Sequence, residues 1–274
     1  MADIESAAIV ELGTDDAKAG LALSTEAHWN QNEADWRFFL GRGTVFGVRH
    51  RAELVATAAL LPYSRGNAWI SMVLVTADWR RRGIATKLVD ACLNAAARRN
   101  LTTWLDATPA GANVYGPLGF TPTLQLRRLR LEKPADGAAS PVPSTCSLDE
   151  LIARDRIAMG FDRTPLLSEF ASRAASRILT DGQATALVRD GRAARQIGPL
   201  FANTTRRALA LVDAIVRSEV GPWLIDAVYS QNEFLTGLTG AGWNIERPFQ
   251  RMRFGGAGTQ GAELPFAVAG PEFG

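Results

Sequence analysis

The chain has 274 residues, 47% of them hydrophobic, with 30 basic and 28 acidic side chains and a formal net charge of +2. That length allows one large or two modest domains, each with its own core, and so small a charge does not imply electrostatic attachment to nucleic acid or to a membrane surface. Two cysteines and two histidines complete neither a disulfide framework nor a metal spacing, and no apolar run of about 18 residues or signal-peptide pattern occurs, so a cytoplasmic, metal-free protein is expected.

Residues 7–12 read as a first strand. Thr14 follows as a helix N-cap with Asp15 and Asp16 in the first turn, and that helix is expected to run to about His28. Asn32 caps a second helix, NEADWRFFL, which stops at Gly41. Between the two lies a polar and aromatic corner, His28-Trp29-Asn30-Gln31. Thr44–His50 and residues 52–61 read as a hairpin of mostly apolar strands, and 62–67 as a turn-rich link. A central apolar strand, 69–75, then leads through Arg80-Arg81-Arg82-Gly83 into a helix that opens near Ile84. Apolar or small residues at 84, 88, 91, 92 and 95 fall on one face of it. Residues 101–107 form another strand, expected parallel to the central one, and Thr121–Leu131 supplies the closing strands.

A helix start beside a strand end is a place for an anion. The amides of the first turn lack intrahelical partners and the peptide dipoles add partial positive charge. Gly83 permits close approach of the main chain, and the three arginines suit a phosphate. At this strand-to-helix turn neither GxxxxGK[ST] nor GxGxxG stands, which sets aside a P-loop hydrolase or a dinucleotide-binding unit built on it. What stands here, Arg80-x-x-Gly83-x-Ala85 after an apolar strand, resembles the Arg/Gln-x-x-Gly-x-Gly/Ala signature of the GNAT acetyltransferase superfamily. Downstream, Tyr115-Gly116-Pro117-Leu118-Gly119-Phe120 looks like the Y-x-x-x-GF element of the same superfamily.

The resemblance implies acetyl-coenzyme A as co-substrate. Backbone at Val73, Leu74 and Val75 would pair with the pantetheine arm, Arg80, Arg81, Arg82, Gly83, Ile84, Ala85 and Thr86 would hold the pyrophosphate, and Asn113 would face the arm. Tyr115 would protonate the departing thiolate. Trp29, Asn30 and Gln31, on the corner that overhangs the acceptor side, and Asp106, at the end of its strand, are the candidates for acceptor contact. The base stays open among Glu26, Glu33, Asp106 and Asp226.

Residues 134–146 contain PADGAASPVP, a linker by composition. Ser147 and Glu150 form a capping box before LDELIARDRIAM, and Thr164-Pro165 starts another helix. The second half then repeats the first. Gly119-Phe120 returns as Gly242-Trp243, Arg130 as Arg253 and Leu88-Val89-Asp90-Ala91 as Leu211-Val212-Asp213-Ala214, each 123 residues on. One offset shared by three separate stretches argues for duplication. At that offset Gly83 becomes Arg206, Arg80 becomes Asn203 and Tyr115 becomes Leu238, and Pro199 interrupts the strand that would pair with a ligand. The expected architecture is α/β (α+β): two tandem GNAT-like domains, each a mixed, mostly antiparallel twisted sheet flanked by helices. Residues 1–133 would be catalytic and 147–256 a degenerate copy shaping the acceptor pocket. In the Gly-rich tail, 257–274, only 264–268 is apolar enough to add a packed segment.

The reading is an N-acetyltransferase that moves an acetyl group to a primary amine by direct attack on the thioester, with a small-molecule amine preferred over a protein acceptor. The alternative is a non-catalytic acyl-coenzyme A-binding sensor or interaction protein.

Overall fold

Helix starts follow the capping residues. Asn32 Oδ1 accepts from Asp35 N (3.1 Å) while Asn32 N donates to Asp35 Oδ2 (2.9 Å), a reciprocal pair that satisfies two otherwise orphaned amides. Ser147 Oγ accepts from Glu150 N in the same way, at 3.3 Å. The first helix begins later than expected, at Ala17, after a 3-10 turn over Thr14–Asp16 in which Gly13 N donates to Asp16 Oδ2.

The computed structural model describes residues 8–134, 143–256 and 261–274. Residue 7 of the expected first strand, most of the expected linker and residues 257–260 of the tail lie outside them. The first half contains β1 (Ile9–Glu11), α1 (Ala17–Glu26), α2 (Glu33–Arg42), β2 (Thr44–His50), β3 (Glu53–Tyr63), β4 (Asn67–Val75), α3 (Ile84–Ala97), β5 (Thr102–Ala107), α4 (Pro109–Tyr115) and β6 (Thr121–Leu131). The second contains β7 (Ser144–Thr145), α5 (Leu148–Met159), α6 (Thr164–Ser172), β8 (Arg177–Thr180), β9 (Ala184–Asp190), β10 (Arg195–Ala202), α7 (Thr205–Ser218), β11 (Trp223–Val228), α8 (Asn232–Gly240) and β12 (Asn244–Phe254).

All twelve strands join one sheet in the order β1-β2-β3-β4-β5-β12-β6-β11-β10-β9-β8-β7. Only β4–β5 and β10–β11 are parallel pairs among the described residues. The expectation that Thr121–Leu131 closes the sheet of the first half is corrected here. That place beside β5 is taken by β12, and β6 instead pairs with β11 on one side and β12 on the other. The two halves have exchanged their last strands. β6 and β12 lie 123 residues apart, with nearly the same alternation of buried and exposed positions, so each fits the place of the other.

An ion pair ties each exchanged strand to its neighbour. Arg251 on β12 is the register partner of Asp106 on β5, and Arg128 on β6 is the register partner of Asp226 on β11. Both pairs are bidentate, with every N···O distance 2.8 Å. The guanidiniums stack on rings as well, Arg251 over Trp69 and Arg128 over Phe249. Desolvation of such pairs is offset only by good geometry and hydrogen bonding; both pairs have the bidentate geometry, and Asp226 accepts a further bond from Gln196 Nε2 (2.8 Å).

Helix α3 covers one face of the first half, packing Leu88, Val89 and Cys92 in a cluster with Ile70 and Leu105. Helices α1 and α2 cover the other, where Trp36 and Phe39 share a cluster with Leu61 and Trp69. In the second half α7 and α8 bury Leu211, Ile215 and Phe234 against β9 and β11. Residues 261–274 then strap the two halves together, far beyond the packing expected of 264–268. Phe273 stacks on Phe39 at 4.8 Å, Trp69 Nε1 donates to Pro271 O (3.0 Å), and Arg163 donates to Phe273 O (3.1 Å).

Candidate active site

The sheet parts at the centre of the first half. β4 and β5 are paired only through Asn67↔Thr102, Ala68↔Thr103 and Trp69↔Trp104. Just beyond, β4 carries an extra residue against β3, with Met72 at φ 51 and Thr57 Oγ1 donating to Met72 O (2.8 Å). A bulge bends its strand and increases its twist, so the ends of β4 and β5 separate. Val73, Leu74 and Val75 lie on the part of β4 that has no partner strand on the β5 side.

At the mouth of this split stands the start of α3. Gly83 is its N-cap in the left-handed conformation (φ 72), and no side chain caps the first turn. Arg81 also has positive φ, 61. Within the described residues no acceptor takes the amides of 81–86. A Cβ built on Gly83 would meet nothing within 4 Å, so protein packing does not demand the glycine, and its backbone conformation and the space above it do. Free amides, positive dipole and open approach together fit a diphosphate. Arg80 Nε donates to Val75 O (3.0 Å), tying the loop to the strand, and Arg82 donates to Asp78 O (2.8 Å) beneath Trp79.

Inside the split is a cavity of about 90 Å³. Trp29, Gln31, Asp106 and Tyr115 line it, together with Ser71 and Thr108. Tyr115 ends α4, a helix the sequence pattern did not signal, capped by Thr108 Oγ1 accepting from Gly111 N (3.2 Å). Burial pushes the Tyr115 phenol up to about 12, so the hydroxyl keeps its proton at neutral pH. Asn113 is exposed on α4 and is not among the lining residues.

Two of the acceptor-side candidates are otherwise engaged. Asn30 does not reach the cavity: its Oδ1 accepts from Ala193 N and Ala194 N (2.9 Å each) and its Nδ2 donates to Ala194 O (3.0 Å). It is a strut to the β9–β10 turn, where a Cβ on Gly191 would come within 2.1 Å of it. The Asp106 carboxylate is clamped by Arg251. Burial raises its pKa, with Arg251 acting in the opposite direction.

The other candidate bases are also occupied. Asp226 holds Arg128, Glu33 holds Arg37 on the surface, and Glu26 accepts from Ala77 N (2.9 Å). The carboxylate missed in the sequence is Glu272, which enters the cavity from the strap. Its closest cation is Arg189, at 3.4 Å. Burial raises its pKa, Arg189 and Arg128 oppose that, and Asp35 and Asp226 reinforce it. Arg247 of β12 also lines the cavity.

The second half has the same split and it is filled. β10 and β11 pair only through residues 195–197 and 223–225, and β10 bulges between Ile197 and Leu200. Ala267 bridges both strands there, with Leu200 N donating to Ala267 O (2.9 Å) and Val268 N to Asp226 O (3.0 Å). Gly198 lets the strap pass, since a Cβ on it would lie 2.1 Å from Val268 O. Helix α7 is capped by Thr204, whose side chain accepts from Arg207 N (3.3 Å). Leu238, in place of the tyrosine, is buried.

A mixed sheet parted at a bulge, with a bare helix start at the opening, defines a fold of the acetyltransferase class. The family model described as acetyltransferase (GNAT) family matches residues 13–120, and the acetyltransferase (GNAT) domain model matches 151–263. The chain therefore belongs to the GNAT acetyltransferase family, as two domains in tandem. It is 23% identical over 237 residues to YitH of Bacillus subtilis (strain 168), described as an uncharacterized N-acetyltransferase, covering 80% of this chain and 81% of that protein. Its fold is similar to that of a putative acetyltransferase from Pyrococcus horikoshii, with TM-score 0.82 and 20% identity over 97% of this chain and 95% of that one. A tandem GNAT protein from the clavulanic acid biosynthesis pathway superposes with TM-score 0.63 at 14% identity, over 91% and 99% of the two chains. Among the described residues no helix is long and apolar enough to cross a membrane.

Proposed function

We propose that the chain is an acetyl-coenzyme A-dependent N-acetyltransferase whose first half binds the coenzyme and supplies the acid, while the second half and the C-terminal strap complete the acceptor pocket and supply the base. The observation that carries this is the contrast between two related splits. One is plugged by residues 266–268 and faces a capped helix, whereas the other keeps its amides bare and its cavity open.

The amides of 81–86 would hold the pyrophosphate, and the free side of Val73–Val75 the pantetheine. The coenzyme, when bound, supplies an acetyl thioester. Aligning it with an amine removes much of the entropic barrier to their encounter. Glu272 accepts the proton of the acceptor ammonium, freeing the nitrogen lone pair for attack. The new C–N bond replaces the C–S bond, the nitrogen gives its surplus proton to solvent, and Tyr115 donates its phenolic proton to the departing sulfur. Solvent then restores that proton and carries away the one on Glu272. The small volume beside Tyr115 favours a small-molecule amine over a protein segment.

The test is thiol release from acetyl-coenzyme A with a panel of primary amines. Cys92 is buried with its thiol pushed up to about 12, and Cys146 is pushed up to about 11, both by burial first, so protein thiols contribute little background at neutral pH. Amine-stimulated release is expected, with Tyr115→Phe lowering kcat by roughly 10²–10⁴-fold and leaving coenzyme binding nearly intact. Saturable coenzyme binding with no amine-stimulated release would overturn the catalytic reading. Equal turnover in the variant would remove Tyr115 from it.

A further inference from the structure

Arg247 sits where β12 runs past the end of β5, since that pairing stops at Gln250↔Ala107. Its cross-strand partner on β6 is Arg128. Two guanidiniums directly opposed repel one another, and their surroundings differ. Arg128 is neutralised by Asp226 through two bonds of 2.8 Å. Arg247 is half-buried, and among the described residues no hydrogen bond or ion pair engages it. Burial first and the neighbouring Arg128 next act against its charge, and Glu246 and Asp226 offset them only in part. At the duplicated position, 123 residues earlier, stands Leu124, so fitting a strand into this place does not itself require a cation.

The same cavity wall also carries hydrogen-bond acceptors. Gln31 Oε1 and Ser71 Oγ are buried and have no hydrogen-bond partner among the described residues, although buried polar atoms are nearly always satisfied. Among the described residues Glu272 has one polar partner, Arg189, at 3.4 Å. Both Gln31 and Ser71 lie with Tyr115 and Glu272 along the same cavity. The cavity wall therefore offers both acceptors for an ammonium and, in Arg247, a guanidinium that no carboxylate among the described residues hydrogen-bonds. At about 90 Å³ the space is well below the ~300–1,000 Å³ of pockets for drug-sized ligands, which limits the acceptor to a small head group.

We infer that the acceptor is a small zwitterion, an amine with a carboxylate a few bonds away as in an amino acid, held by Arg247 at its carboxylate and presented amine-first to Glu272 and Tyr115. This rests on the acetyltransferase reading above and deepens it. A planar guanidinium binds a carboxylate through two parallel hydrogen bonds, so recognition depends on the anionic group more than on the remaining side chain.

The probes are the common α-amino acids, each paired with the amine left by removing its carboxylate. At least one amino acid is expected to exceed its paired amine in kcat/KM by roughly 10- to 100-fold, the range of a charge-assisted hydrogen bond pair. Arg247→Gln should collapse that ratio, mainly through KM, and Arg247→Lys should restore part of it. The inference is overturned if the paired amines match or surpass their amino acids throughout, or if Arg247→Gln leaves the ratio in place. Binding of the same probes to the protein loaded with free coenzyme A, followed by thermal shift, separates this failure from that of the catalytic reading. Amino-acid stabilisation that Arg247→Gln removes supports the inference even without turnover, and equal stabilisation by both sets contradicts it.

Discussion

At Glu272 two opposed influences act on one carboxyl group: burial disfavours its charge, and Arg189, 3.4 Å away, favours it. Burial dominates, so the group titrates above the ordinary carboxylate range. A base must be deprotonated to work, so kcat/KM should rise with pH through this raised pKa and then level off. Tyr115, at about 12, stays protonated and adds no fall through the neutral and mildly alkaline range. Glu272→Gln should lower kcat by roughly 10²–10⁴-fold and abolish the acidic limb of the pH profile; a variant that keeps both rate and limb would show that the proton leaves by another route. The places of Tyr115 on the cavity wall and of Gly83 at the helix start were legible in the sequence because each belongs to a short stretch whose signal is local, a hydroxyl before a Gly-Phe turn and a glycine before a helix. Glu272 and Arg247 were not, since they meet the cavity only after distant segments fold back on it. Asn30 misled for a related reason. A polar corner looks alike whether its side chain faces a ligand or, as here, the backbone of Ala193 and Ala194.

Among elements, β6 and β12 show how duplication and pairing part company. Their 123-residue offset and shared burial pattern were readable, and so were the bounds of both α5 and β6, because capping and alternation are local signals. Which copy of a strand lies beside β5 is not a local matter, because two interchangeable strands satisfy the same pattern. The choice shows in the paired charges, where Asp106 reaches Arg251 and Asp226 reaches Arg128 across the halves. Asp226 is wholly buried and also accepts from Gln196 Nε2 (2.8 Å). Asp226→Ala leaves a buried guanidinium without its counter-charge and should destabilise the chain by about 3–5 kcal/mol in denaturant unfolding. Adding Arg128→Met should recover much of that loss, because an apolar pair needs no compensation. A single-variant loss under about 1 kcal/mol would mean that the pair does not hold the exchanged strands.

Across the whole molecule, the exchanged strands and the strap make the second half part of the first half's site. Trp29 and Gln31 come from the corner between α1 and α2, Tyr115 from α4, Arg247 from β12 and Glu272 from the strap, and all line one cavity. The same strap closes the split between β10 and β11 by pairing Ala267 with both strands. One continuous sheet thus holds an open site and a sealed relic of the same design. The measurement that tests this most directly is calorimetric titration of the full chain with acetyl-coenzyme A. One coenzyme per chain is expected, with binding lost in Gly83→Val, whose β-branched side chain is strained at φ 72 and fills the approach to the amides, and retained in Arg206→Ala at the start of α7. Two coenzymes per chain, no heat at all, or binding that survives Gly83→Val and fails in Arg206→Ala would contradict the account.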